Sequence, residues 1–214
     1  YLQTYIGRDV RDISSRIDAL DFMRFIRAVA CRCSQMLNVH DLARDVGIGD
    51  AVARSWLGVL EKSDVIYYLH PYANNVLKRT VKTPKLYFFD TGLVAFLTRW
   101  SSAATLESGA MSGALFENYV INEIRKSYSA AGVEPLLYYY RDRDKSEIDV
   151  ILERDGTLHP LEIKKTATPR LRMVSGFRVL SNAGLPVATG GIICSAVEAG
   201  ALDGKTLIIP AWAL

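Results

Sequence analysis

The feature that most constrains the fold is a pair of charged, apolar segments joined by a tight turn. Residues 147–153 read Glu-Ile-Asp-Val-Ile-Leu-Glu, Asp155-Gly156 follows, and Glu162-Ile163-Lys164 lies in the next apolar stretch. Two such segments around an Asp-Gly pair predict a β-hairpin. Side chains alternate along a strand, so Glu162 and Lys164 share one face while Ile163 points into the opposite layer. Asp149, thirteen residues before Glu162, is then on the neighbouring strand and reaches the same edge. Charges on central strands are costly unless they are paired or ligate a metal. Two carboxylates beside one cation therefore point to a divalent ion, since magnesium takes one or two carboxylates together with waters and phosphate oxygens. Asp149 and Glu162 are the expected ligands of Mg2+ or Mn2+. Lys164 would orient or help deprotonate an ion-bound water, or stabilise a phosphoryl transition state. An Asp followed by Glu-x-Lys also arises by chance, in which case these residues are two surface ion pairs.

The flanking pattern places the hairpin in a layered domain. Leu115, Phe116, Tyr119, Val120 and Ile124 recur at helical spacing between residues 113 and 128. Residues 136–140 read as a strand, 170–183 as a helix, and 188–194 and 205–210 as two further strands. The expected fold class is α/β, with helices on both sides of a mixed central sheet, over residues 93–214. Gly200-Ala-Leu-Asp-Gly204-Lys205-Thr206 is one residue short of P-loop spacing and runs into a strand instead of a helix, so a hairpin turn explains it better.

Residues 1–92 carry a different pattern. A helix is expected over 21–36 behind Asp21 as N-cap, with Phe22, Phe25, Ile26, Val29 and Ala30 inward. A short helix at 41–46, the Gly47-Ile48-Gly49 turn and a helix from 50 to 63 make a helix-turn-helix. Val52, Trp56, Val59 and Leu60 are its expected buried face, and Asp50, Arg54, Leu57, Gly58 and Glu61 its outward face. Strands at 65–69 and 85–90 around a loop at 71–84 would make a wing. Arg54 aside, the second helix is poorly equipped to read bases. Lys78, Arg79, Lys82 and Lys85 fall within eight residues that contain no acid, which suits phosphates, although a solvated loop is the commoner use of such a run.

Composition narrows the classes. Half the residues are hydrophobic and 23% are charged, as in ordinary globular chains. Residues 1–92 hold 13 basic and 10 acidic side chains and residues 93–214 hold 13 of each, so the chain is not a strongly basic DNA-coating protein and nucleic-acid contact must rest on local patches. No apolar run is long enough to cross a bilayer and no signal peptide opens the chain, so a cytoplasmic location with no membrane association is expected. Cys31, Cys33 and Cys194 do not form a disulfide or zinc pattern, and reduced thiols are expected. The first residue is Tyr1, not Met, which suggests a piece of a longer protein.

The acid, hairpin, Glu-x-Lys arrangement resembles the PD-(D/E)XK nuclease superfamily, with the departure that Ile148 stands where proline would precede Asp149. That resemblance implies that Glu117, on the preceding helix, is a third metal-proximal acid. It gives the expected catalytic set Glu117, Asp149, Glu162 and Lys164, the first three ligating metal. A second resemblance runs from the N-terminus to about residue 170. It rests on Tyr5-Ile6-x-Arg8-Asp9-Val10, Asn38-x-x-x-Leu42-Ala43, Pro71-Tyr72-x-x-Asn74-x-x-x-Lys78-Arg79, Lys82-x-Pro84-Lys85-x-Tyr87-Phe88-x-Asp90-x-Gly92-Leu93, Gly113-x-x-Phe116-Glu117 and Glu147-Ile148-Asp149-Val150. These resemble the C-terminal region of prokaryotic AAA-type ATP-binding proteins. The likeness implies a winged helix, then a nuclease-like domain, with ATP handled only by an upstream ATPase module. DNA is the expected partner, cleaved by the domain or, alternatively, bound without cleavage; the alternative also admits a protein partner.

Overall fold

The computed structural model describes residues 18–73, 77, 81–144 and 146–214. These form a mixed α/β structure that divides into two compact units. Residues up to 68 join 86–109 in the first, and 69–85 join 110–214 in the second. This partition differs from a boundary at residue 92, because a helix at Thr91–Leu97 (α4) and a short one at Ala103–Glu107 (α5) fall with the first unit.

In the first unit, α1 spans Ala19–Ala30. Its cap is Asp18, whose carboxylate accepts from the Leu20 and Asp21 amides, so the helix starts earlier than the Asp21 cap expected from sequence. The next helices are α2 (Val39–Val46) and α3 (Asp50–Lys62). Gly47 ends α2 at φ 81°, a left-handed conformation that glycine adopts without steric cost. Trp56 of α3 packs edge-on against Phe22 and Phe25 of α1, with ring centroids 5.3 Å apart in both pairs. The buried face of α3 is rotated from the expected one: Leu57 is buried, whereas Val52 is 40% exposed. A burial stripe with a 3.6-residue period over so short a helix leaves its edge residues undetermined, and the α1 aromatics decide which edge they cover. Strands β1 (Gln35–Met36), β2 (Ile66–Leu69) and β3 (Lys85–Phe88) make a small sheet in the order β1-β3-β2.

The second unit is built on a six-stranded mixed sheet behind helix α6 (Ser112–Ala130). Strands β4 (Leu136–Arg141), β5 (Glu147–Arg154) and β6 (Thr157–Lys164) form an antiparallel meander. A 3-10 helix at Leu171–Phe177 runs into α7 (Arg178–Asn182), where sequence suggested one continuous helix. Strand β7 (Gly190–Cys194) then pairs parallel to β6. Strands β8 (Gly200–Asp203) and β9 (Thr206–Pro210) form the closing hairpin, giving the order β4-β5-β6-β7-β9-β8. Ile192 and Cys194 pack against Val174 of the 3-10 helix, while Ile193 lines a cavity with Ile124 of α6. Successive residues of one strand thus meet helices on opposite sides of the sheet.

The stretch expected as a free wing loop belongs to this second unit. Pro71 bridges to Tyr139, the Tyr72 amide donates to the Tyr139 carbonyl at 2.7 Å, and the Val81 amide donates to the Arg141 carbonyl at 2.9 Å. The Tyr139 hydroxyl donates to the Thr83 carbonyl. An edge strand such as β4 leaves amides and carbonyls unpaired, and these contacts satisfy part of that edge. Among the described residues, no helix is long and apolar enough to cross a membrane.

Candidate functional site

The register of the β5–β6 hairpin assembles the central group. Val150 lies opposite Leu161, so one step further along the ladder Asp149 and Glu162 become neighbours. Both are buried, at 6% and 7% exposure. Lys164, on the same face of β6, bridges them: its ammonium lies 3.2 Å from Asp149 Oδ2 and 2.6 Å from Glu162 Oε1. Asp149 Oδ2 also accepts the Ile163 amide at 2.9 Å. Its neighbour Ile148 is fully buried in the apolar cluster with Ile151, Leu158 and Leu180, so the strand is anchored while the acid faces the site.

Electrostatics follow from this burial. Desolvation, reinforced by Asp149 and opposed by Lys164, pushes the Glu162 carboxyl up to about 7. Burial works against the Lys164 ammonium, yet the carboxylates of Asp149 and Glu162 outweigh it and raise its pKa to about 12. Lys164 is therefore a cation that donates to both carboxylates at neutral pH.

Glu117 is not gathered with Asp149 and Glu162. It lies on α6 and pairs with Lys85, whose ammonium is 3.2 Å from Glu117 Oε1. Among the described residues, no three or more His, Cys, Asp or Glu side chains come together as a metal-holding group. Lys85 itself departs from the sequence reading. Expected as a phosphate contact on a solvated wing, it is 4% exposed and also lies 2.8 Å from Glu147 Oε1 and 5.4 Å from the Tyr139 ring centroid. Burial works against its charge, but Glu117, Asp149 and Glu147 together hold its pKa above the ordinary lysine value. The reason lies in its position: Lys85 opens β3 and so enters the protein with the strand, whereas Lys82, three residues earlier, stays exposed. Arg54 is exposed on α3, and Lys78 and Arg79 lie outside the described residues.

Two participants escaped the sequence reading. Glu147 precedes Asp149 by two residues, shares its strand face, and binds both Lys85 and Arg141, the latter at 3.1 Å. The period-2 spacing Glu147-x-Asp149 could have revealed it. Arg141 gave no such signal, because its partner lies across the β4–β5 pairing.

Comparison with known proteins gives relatives but no solved template, as no solved structure matches. Uncharacterized protein Rv2008c of Mycobacterium tuberculosis and uncharacterized protein Mb2031c of Mycobacterium bovis are each 31% identical over 172 residues. The match covers 80% of this chain and 38% of the length of each relative. Residues 1–104 match the family model of a domain of unknown function, DUF8612, and residues 112–214 that of a second domain of unknown function, DUF4143, so the chain is similar over nearly all its length to these two domains in tandem.

Proposed function

We propose that the second unit is a nuclease-type domain of the PD-(D/E)XK kind, hydrolysing DNA phosphodiester bonds with one Mg2+ or Mn2+, beside a first unit of winged-helix type in a larger protein that carries an AAA-type ATPase. The observation that carries this reading is the buried Asp149 and Glu162 pair bridged by a single ammonium. The donor set fits a divalent ion. Asp149 Oδ1 and Glu162 Oε2 accept no hydrogen bond from a described residue, while the other oxygen of each is engaged by Lys164. Burial first and the Asp149 carboxylate second make the Glu162 charge costly, a cost that such an ion would offset. An ion bound there would supply Lewis-acid charge and an acidified water. Lys164, held protonated, would donate to a phosphate oxygen, and the Ile163 amide fixes the Asp149 carboxylate.

Calorimetric titration tests the ion site. Mn2+ is expected to bind wild type and to lose measurable affinity in Asp149→Ala; equal affinity in the two proteins would remove the site.

The α2–Gly47–α3 turn and the three-stranded sheet support the winged-helix reading of the first unit. Arg54 is exposed on α3 of that unit, and Lys82 is exposed in the segment that belongs to the second. If the basic run tracks DNA, replacing Lys78, Arg79 and Lys82 by alanine should flatten the dependence of log affinity on log salt by roughly 0.9 for each phosphate deprived of its cation. An unchanged slope would make the run a solvated one. The ion pairs that Lys164 already makes favour a second reading, in which the same fold binds nucleic acid or a protein partner without cutting. Loss or retention of cleavage on changing Lys164 separates the two.

A further inference from the structure

The charges of the second unit alternate along two chains of ion pairs, which share one face of β5. Arg141 pairs with Glu147, Glu147 with Lys85, and Lys85 with Glu117. On the same face of β5, Asp149 pairs with Lys164, which pairs with Glu162. Within this set four carboxylates face three cations, leaving one excess negative charge when Glu162 is ionised. One divalent ion reverses that to a single positive charge, suited to a phosphodiester, whereas two would leave a charge of plus three. The side chain that decides between these states is Lys85. It is almost fully buried, sits between carboxylates from α6 and β5, and is close enough to influence Asp149 as well.

We propose that the Lys85 ammonium is a permanent cation of the site, holding Glu117 and Glu147 where a second metal ion would otherwise sit, so that the centre takes one divalent ion, between Asp149 and Glu162. The proposal rests on the metal-dependent reading above and assigns Lys85 and Glu117 as positioning residues. Glu117 then acts by fixing Lys85, and not as a ligand. Lys85, the first residue of β3, also ties the segment before that strand to the chemistry, since the backbone of that segment pairs with β4.

Metal stoichiometry is the discriminating measurement, read by Mn2+ calorimetry and by thermal unfolding with and without Mn2+. Wild type is expected to bind one ion per chain. Lys85→Met should bind two, and Mn2+ should raise its melting temperature by more than it raises that of wild type, because an ion now replaces the missing ammonium. Glu117→Gln, a near-isosteric change, should still bind one ion per chain, since Glu117 touches Lys85 and not the ion. Lys85→Met that binds one ion or none and is not selectively rescued by Mn2+, or that stays unfolded whatever the Mn2+ concentration, would overturn the proposal, as would Glu117→Gln that binds none. Wild type binding no ion, with Lys85→Met binding one, would overturn the Asp149–Glu162 ion site while upholding Lys85 as a metal substitute.

Discussion

Lys164→Ala is expected to lower metal-dependent DNA cleavage roughly a hundred- to thousandfold, the usual consequence of deleting one positioned electrostatic stabiliser, which is worth about 2.7 to 4 kcal/mol. The fold should survive. Lys164 is the last residue of β6 and its side chain is 43% exposed, while the packing of that strand comes from Leu158 and Ile163. Ion binding should persist or tighten, because the ammonium competes for the oxygens of Asp149 and Glu162 that an ion would share. Weak cleavage combined with retained Mn2+ binding would place Lys164 on the phosphoryl group. Lys165→Ala supplies the control: Lys165 is exposed and donates to Ser112 Oγ at 2.6 Å, away from the acid pair, so most activity should remain. Cleavage undiminished in Lys164→Ala would mean a contaminant or another site. Wild type that binds DNA without cutting, with metal and the ATPase module supplied, would favour the non-catalytic reading.

The second large effect is on stability. In metal-free buffer, Lys85→Ala should destabilise the second unit by about 3 kcal/mol, the lower part of the range for removing one partner of a buried ion pair, because Glu147 keeps about a third of its surface in water. The alanine leaves Glu117 and Glu147 facing each other without their shared cation and opens space beside the Tyr139 ring. Two compact units need not unfold together, so a single global transition is a poor readout. Amide hydrogen exchange resolves the matter: protection should fall in β5 and β6 while the α1 and α3 amides of the first unit keep theirs. Unchanged exchange at the hairpin would show that the lysine contributes no net stability and that its burial is matched by its own desolvation cost.

Several features were readable from sequence because local physics decides them. The β5–Asp155-Gly156–β6 hairpin follows from an apolar alternation interrupted by residues that accept positive φ, and both do so, at 51° and 72°. Strand periodicity then puts Glu162 and Lys164 on one face, and hairpin register brings Asp149 beside them. Helices α2 and α3 were legible for the same reason: amphipathic spacing on either side of a left-handed glycine is a local pattern.

What the tertiary structure alone decided is the company those residues keep. The basic character of residues 78–85 suggested four equivalent phosphate contacts, but net charge carries no information about burial. Lys85 turns inward because the segment containing it covers the β4 edge and starts a strand, whereas Lys82 remains in water. Glu117 sits at a helical position compatible with several partners, and only the packing of α6 against β6, with Lys85 reaching Glu117, selects the lysine over the acid pair. The sequence by itself determined the hairpin acids and the cation between them, since those lie on two adjacent strands of one hairpin whose register and alternation are local. The second cation and the acids it holds come from segments 32 and 62 positions distant from Lys85, at Glu117 and Glu147, and a periodicity cannot encode a distance across the fold.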